Sequence, residues 1–298
     1  GIEFEVDLER LDELMGFDAV PCNARDSIRN YDYMIEAYMA LSLMHNTLGR
    51  LAMDFLVWHS AEFGFIEIPE RLCITSSISP QMRNPYVFEF VHGASGLFAG
   101  RLMAALAVTK TASDQLEMAT ILPAEFWQCV EESRYAIAAM CDALEGMKVN
   151  TARMAQVAND YGSQMNSVIG YLVKERGVPF RTAHQILAKL MRKVAEQKTR
   201  PADIPVEWLE QAAVDYTGKG LGLTQDTLTR IFDAMYSVRE RHYRAGGAPQ
   251  RVTEHIAEAR RRLETDKAAL TALSDRVLAS ENKLASAFAR LKKELLPQ

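Results

Sequence analysis

The sequence predicts an all-α protein, and three observations carry that prediction. Apolar residues recur at steps of three and four over long stretches, the shorter patterns beyond Val149 are separated by Gly or Pro, and only "RLCIT" and "FIEIP" read as strands. With 298 residues and 48% hydrophobic content, the chain can bury one large core or two moderate ones.

The first pattern runs from Asp26 to about Glu62, where Ile28, Tyr31, Ile35, Tyr38, Met39, Leu48, Leu51, Phe55 and Trp58 form one stripe. Asn23 or Asp26 can cap its start, and Gly64 can end it. At about 36 residues it far exceeds the mean helix and implies a bundle reaching across much of the molecule. The second, from Pro85 to about Thr109, is apolar on nearly all sides, as in a helix buried among others. Gly93, Gly96 and Gly100 make a small-residue face on it. Each glycine costs about 1 kcal/mol relative to alanine, so another helix is expected to approach closely there.

A third helix is expected from about Ala124 to Met147, and a change to shorter helical segments marks a boundary near Lys148. After "RAGGAPQ" a last helix runs from about Arg251 to Leu295, with Ile256, Leu263, Leu270, Val277, Leu284 and Leu291 at intervals of seven. Such a stripe should pair with another helix. The expected division is a bundle domain over 1–148, a small helical domain over 149–245, and a terminal helix over 246–298 that returns to the bundle.

Composition narrows the function. A net charge of -5 without a basic, aromatic-laced stripe argues against nucleic acid. Cys22, Cys73, Cys129 and Cys141 are widely spaced, with no CxxC pair and no nearby His, so neither a metal site nor a disulfide framework is expected, and a reducing cytoplasm is the plain reading. No cofactor is expected either. The run "LMAALAVTK" is too short to span a bilayer and no secretory leader opens the chain, so a membrane partner is not expected. The first residue is Gly, which suggests a processed, tagged or truncated start.

The stretch "SSISPQMRNP", Ser76 to Pro85, is the chemically dense part of the sequence. Two prolines stiffen it, and Pro85 suits the first turn of the helix that follows. Thr75, Ser76, Ser77, Ile78, Ser79, Pro80, Gln81, Met82, Arg83, Asn84, Pro85 and Glu89 together resemble the mobile catalytic loop of the fumarase/aspartase superfamily, whose pattern is GSSxMPxKxNPxxxE. The segments "ELMGFDAV", "LVWHSAEFGFIEIPE", "GMKVNTARM", "GYLVKERGVPFRTAHQIL" and "YRAGGAPQRV" resemble argininosuccinate lyase within it, so the resemblance spans roughly residues 1–260.

That resemblance implies a long antiparallel helix bundle that tetramerises, with active sites shared between subunits, and anti β-elimination on a small carboxylate substrate that often releases fumarate. It makes Ser76 the base, Asn84 the amide that holds a substrate carboxylate, and Glu89 the group orienting a histidine of a neighbouring subunit. A serine needs positioned donors to act as a base, and a carboxylate fixes an imidazole tautomer. Ser77, Gln81 and Arg83 stand beside them as candidate substrate contacts. Read without the resemblance, the serines could cap a polar turn, Asn84 could cap the helix at Pro85, and Glu89 could face solvent, although its setting in "YVFEFVH" suggests burial.

Three departures separate the chain from argininosuccinate lyase. Met82 stands where the family has a substrate-binding Lys, and losing a charged hydrogen bond costs about 1.5–3 kcal/mol. Leu116, Ile121 and Ala124 stand where the family has a Tyr, a Gln and a Lys, so the expected substrate is not argininosuccinate. The family's earlier motif regions, including the one with the catalytic His, have no counterpart; His45, His59, His92, His184, His242 and His255 match none of it. The alternatives are a structural or regulatory homologue that has lost catalysis, or the carboxy-terminal half of a split lyase that needs a separate amino-terminal chain.

Overall fold

The computed structural model describes residues 3–110, 116–160 and 162–295, without the side chains of 116–120. The helices are α1 (Leu8–Met15), α2 (Ala24–Arg29), α3 (Asp32–His59), α4 (Tyr86–Val108), α5 (Leu116–Gly146), α6 (Thr151–Asp160), α7 (Met165–Arg176), α8 (Phe180–Gln197), α9 (Val206–Thr217), α10 (Gln225–Ile231), α11 (Ala234–Arg239) and α12 (Pro249–Leu295). The class is all-α, as expected. Among the described residues the only ladder joins β1 (Ile66–Glu67) to β2 (Lys148–Val149), antiparallel, with Ile66 opposite Val149.

The chain forms two compact units, residues 3–33 with 253–295 and residues 34–110 with 116–252. In the first, α1 begins at Asp7, whose carboxylate accepts the Arg10 N–H at 2.8 Å, and ends at Gly16 in the left-handed region. A Cβ at Gly16 would collide with Ser280 of α12, so glycine serves both the turn and the close approach. The α12 stripe at Ile256, Leu263, Leu270, Val277, Leu284 and Leu291 is 40–64% exposed. Among the described residues, α1 approaches α12 at Ser280, and the six stripe positions themselves stay uncovered, unlike the pairing expected along them.

The second unit holds two cores. Ala52 and Phe55 of α3, Val87, Phe88 and Val91 of α4, and Ala136, Met140 and Ala143 of α5 pack with Ile66 and Ile68. The other joins Val168 and Leu172 of α7, Ile186 and Leu190 of α8, Leu209 of α9, and Leu228 and Ile231 of α10. Helices α4 and α5 are also tied by a bidentate ion pair, Arg101 to Glu132 at 2.6 and 2.9 Å. His45 of α3 lies fully buried, flat on the Phe98 ring at 3.6 Å and within 3.0 Å of Ser133 Oγ.

Several boundaries differ from the sequence expectation. The pattern from Asp26 to Glu62 is two helices, because Asn30 is extended and its Oδ1 accepts the Asp32 N–H at 2.8 Å. Asn23 caps α2, and α3 stops at His59, after which Gly64 at φ 60° turns the chain so that the Phe65 N–H reaches Trp58 O. Helix α5 begins before Ala124 and carries Pro123 inside it. The face of Gly93, Gly96 and Gly100 is open: a Cβ at any of them would meet nothing within 4 Å. Of "RLCIT" only Ile74 pairs, in an isolated bridge. Helix α4 is long and apolar enough, by length and composition, to cross a membrane, which corrects the expectation that no run was. Its Val87, Phe88, Val91, Phe98 and Ala105 are buried within this unit.

Candidate active site

The loop that carries the candidate residues leaves a 3-10 turn at Glu70–Leu72 and enters α4 at Tyr86. Ile74 and Asn84 exchange both backbone hydrogen bonds, at 2.9 and 3.0 Å, and so close residues 75–83 into a loop. Both stems are anchored: Leu72 and Cys73 pack on the α3–α4–α5 core, and Val87 and Phe88 are buried in it. The excursion itself is solvent-facing, with Ile78 88% exposed. A loop with fixed stems and an apolar tip can move as a unit over whatever it covers.

Inside the loop the Met82 N–H donates to Ser79 O at 3.0 Å, forming a tight turn. Thr75 Oγ1 lies 3.2 Å from Met82 O and 3.4 Å from Pro80 O. Arg83 spreads its guanidinium over the same groups: Nη1 donates to Pro80 O and Met82 O at 3.0 Å each and reaches Thr75 Oγ1 at 3.4 Å. Its Nη2 pairs with Glu70 at 2.8 Å. Burial pushes the Cys73 thiol up in pKa, with Arg83 pulling it partly back, which suits an inert thiol rather than a nucleophile.

Ser76 is half-buried, and its Oγ accepts the Ile78 N–H at 3.3 Å. That is a local turn bond, and it is also a backbone donor aimed at the oxygen that would carry charge as an alkoxide. Asn84 spends its backbone on the bridge, while the N-cap position of α4 belongs to Pro85 with no side-chain cap. Capping is therefore not the role of the Asn84 amide, which makes no hydrogen bond among the described residues. Ser77, Gln81 and Met82 are exposed, and Met82 presents 43% of its surface.

Glu89 lies in the first turn of α4 and is exposed, not buried among its aromatic neighbours as expected. Val87, Phe88 and Val91 take the inward face, and a carboxylate in the first turn complements the helix dipole. No described histidine bonds Glu89. His92, three residues on, turns Nδ1 to Gly49 O at 3.2 Å. Of the altered substrate positions, Ile121 and Ala124 are exposed on α5, and the Leu116 side chain lies outside the described residues. No group of three or more His, Cys, Asp or Glu able to hold a metal occurs among the described residues. Sequence reasoning named Arg83 and Thr75 but not their contact, and it missed Glu70, which pairs with Arg83.

Residues 2–100 match a family described as Lyase, and residues 167–239 one described as Argininosuccinate lyase C-terminal. Argininosuccinate lyase of Methanoculleus marisnigri is 31% identical over 270 residues, covering 89% of this chain and 53% of the relative. That of Methanothermobacter thermautotrophicus is 27% identical over 266 residues, covering 89% and 57%. The chain thus spans little more than half the length of these relatives. Among solved structures, EDDS lyase in complex with formate has a TM-score of 0.88 at 24% identity, over 100% of this chain and 60% of that one. The 3-carboxy-cis,cis-muconate lactonizing enzyme of Pseudomonas putida has a TM-score of 0.58 at 20% identity, over 84% and 52%. At these identities the two structures establish the fold.

Proposed function

We propose that this chain, an argininosuccinate lyase-like member of the fumarase/aspartase superfamily, bears the catalytic loop of a lyase performing β-elimination on a small carboxylate. Ser76 Oγ, having lost its own proton to solvent and standing as an alkoxide beside the Ile78 N–H, removes the proton from the carbon beside a carboxylate. The C–H electrons form the new double bond as the C–N or C–O bond breaks, and the leaving nitrogen or oxygen keeps that bond's electron pair and takes a proton from the histidine that another subunit or a separate chain supplies. A dicarboxylate substrate leaves as fumarate. The observation that carries this reading is the loop itself: the Ser76 hydroxyl has a backbone donor, and the Asn84 amide is left unspent by the helix it precedes.

The substrate we propose is not argininosuccinate, since Met82, Ile121 and Ala124 offer apolar surface where a charged ligand needs polar partners. Glu89, exposed in this chain, is free to orient a histidine brought by another subunit or by a separate amino-terminal chain. The exposed Met39, Leu43 and Met53 of α3 and Leu97, Met103 and Leu106 of α4 support assembly of copies, helix against helix, into a tetramer. Incubating the assembled protein with a panel of N-substituted amino-dicarboxylates, argininosuccinate among them, and following fumarate by mass spectrometry tests the reading. Turnover of another member above argininosuccinate supports it. Preference for argininosuccinate overturns the substrate assignment, and no turnover of any member favours a homologue that keeps the bundle without the chemistry.

A further inference from the structure

We propose that Arg83 is a positioning residue that latches the Ser76 loop to Glu70, and not a ligand for the substrate. The inference rests on Ser76 as the base, because its purpose is to hold that hydroxyl in place. One guanidinium gathers both arms of the loop and a point outside it: Thr75 at the start, the Pro80 and Met82 carbonyls on the far arm, and Glu70 in the preceding 3-10 turn. Such convergence needs the planar fork of arginine, whose N–H groups point along fixed directions; an ammonium cannot reproduce it.

The Glu70 turn is followed directly by Leu72 and Cys73, which pack on the core, so the latch ties a solvent-facing segment to an anchored one. Both members are well exposed, 48% for Arg83 and 77% for Glu70. An exposed pair shifts an open–closed balance by roughly five-fold or less, which a loop opening at each turnover can overcome. Nη1 is spent on the loop carbonyls and the charge is already matched by Glu70, so a substrate carboxylate would have to displace that pairing or settle for the Nε side of the fork.

Hydrogen–deuterium exchange over residues 76–82 in the intact protein tests the latch directly, with Glu70→Gln, Glu70→Asp, Arg83→Lys and Arg83→Met compared at low and high salt. The expected result is two- to five-fold faster exchange in Glu70→Gln and both Arg83 variants, little change in Glu70→Asp, and faster wild-type exchange as salt rises. Thermal unfolding should stay unchanged, since all these side chains are exposed. On a substrate that turns over, Arg83→Lys and Glu70→Gln should lower kcat with KM nearly constant. Unchanged exchange together with a raised KM in Arg83→Met, rescued by Arg83→Lys, would overturn the latch and return Arg83 to substrate binding. The exchange result as expected, with Ser76→Ala turning over at the wild-type rate, would leave the latch standing and sink the assignment of Ser76 as base.

Discussion

Replacing Met82 with lysine isolates the departure that most separates this loop from its family pattern. The Met82 side chain is 43% exposed, and the residue serves the loop through its backbone: its N–H reaches Ser79 O, and its carbonyl accepts from Thr75 and Arg83. None of those bonds depends on the side chain. The neighbouring charge of Arg83 is engaged by Glu70 at 2.8 Å, so a lysine meets little uncompensated repulsion. Folding stability should therefore move by no more than about 0.5 kcal/mol. A new charged hydrogen bond to a carboxylate is worth about 1.5–3 kcal/mol, which corresponds to roughly tenfold to 150-fold tighter binding. Isothermal titration of wild type and Met82→Lys with fumarate, and with its neutral diamide as control, reads the difference. Fumarate should gain by that factor and the diamide should not. An unchanged fumarate affinity, or an equal gain for the diamide, would refute the placement of residue 82 beside a substrate carboxylate.

Other residues give further expected outcomes. Phe88 is fully buried with its ring 5.2 Å from that of Phe55, so Phe88→Ala should cost about 3–5 kcal/mol in denaturant titrations while freeing one stem of the loop. The Arg101 hydrogen bonds hold the Glu132 carboxyl below its ordinary pKa, so this group adds stability above the unfolded pKa, and the contribution is lost as pH falls through the folded one. Arg101→Met should cost about 1.5 kcal/mol or somewhat more at neutral pH, with Glu132 one-third exposed, and the gap from wild type should narrow through the carboxylate range. Burial lowers the pKa of His45, so between its folded and unfolded values the unfolded chain binds more protons, and stability falls as pH drops through and below the ordinary histidine value of about 6.5. His45→Gln should flatten that part of the pH–stability curve; an unchanged slope would assign the acid sensitivity elsewhere.

Periodicity made α4 and α12 legible almost to the residue, because long apolar patterns leave little freedom in where a helix lies. It was silent at Asn30, where one side-chain bond to the Asp32 N–H breaks a stripe whose apolar spacing continues across it. The helix expected from about Ala124 begins earlier, at Leu116, and runs through Pro123, a residue that usually opens or ends a helix. Glu89 shows the limit of neighbour composition: its aromatic flanks suggest burial, but Val87, Phe88 and Val91 claim the inner face and leave the carboxylate outside. Ser76, Asn84 and Arg83 were legible as residues of a motif. The contacts of Arg83 with Glu70 and Thr75 were not, because no sequence period marks a guanidinium reaching back across a loop.

The most direct test of the account is single-turnover kinetics of Ser76→Ala beside Ser77→Ala, on whichever carboxylate the wild-type assembly cleaves, with substrate binding measured separately. A positioned general base contributes about 10²–10⁴-fold, so Ser76→Ala should lose at least about a hundredfold in the chemical step while binding persists, and Ser77→Ala should lose far less. Turnover by Ser76→Ala at the wild-type rate would contradict the assignment of the base, and with it the lyase chemistry proposed for this loop.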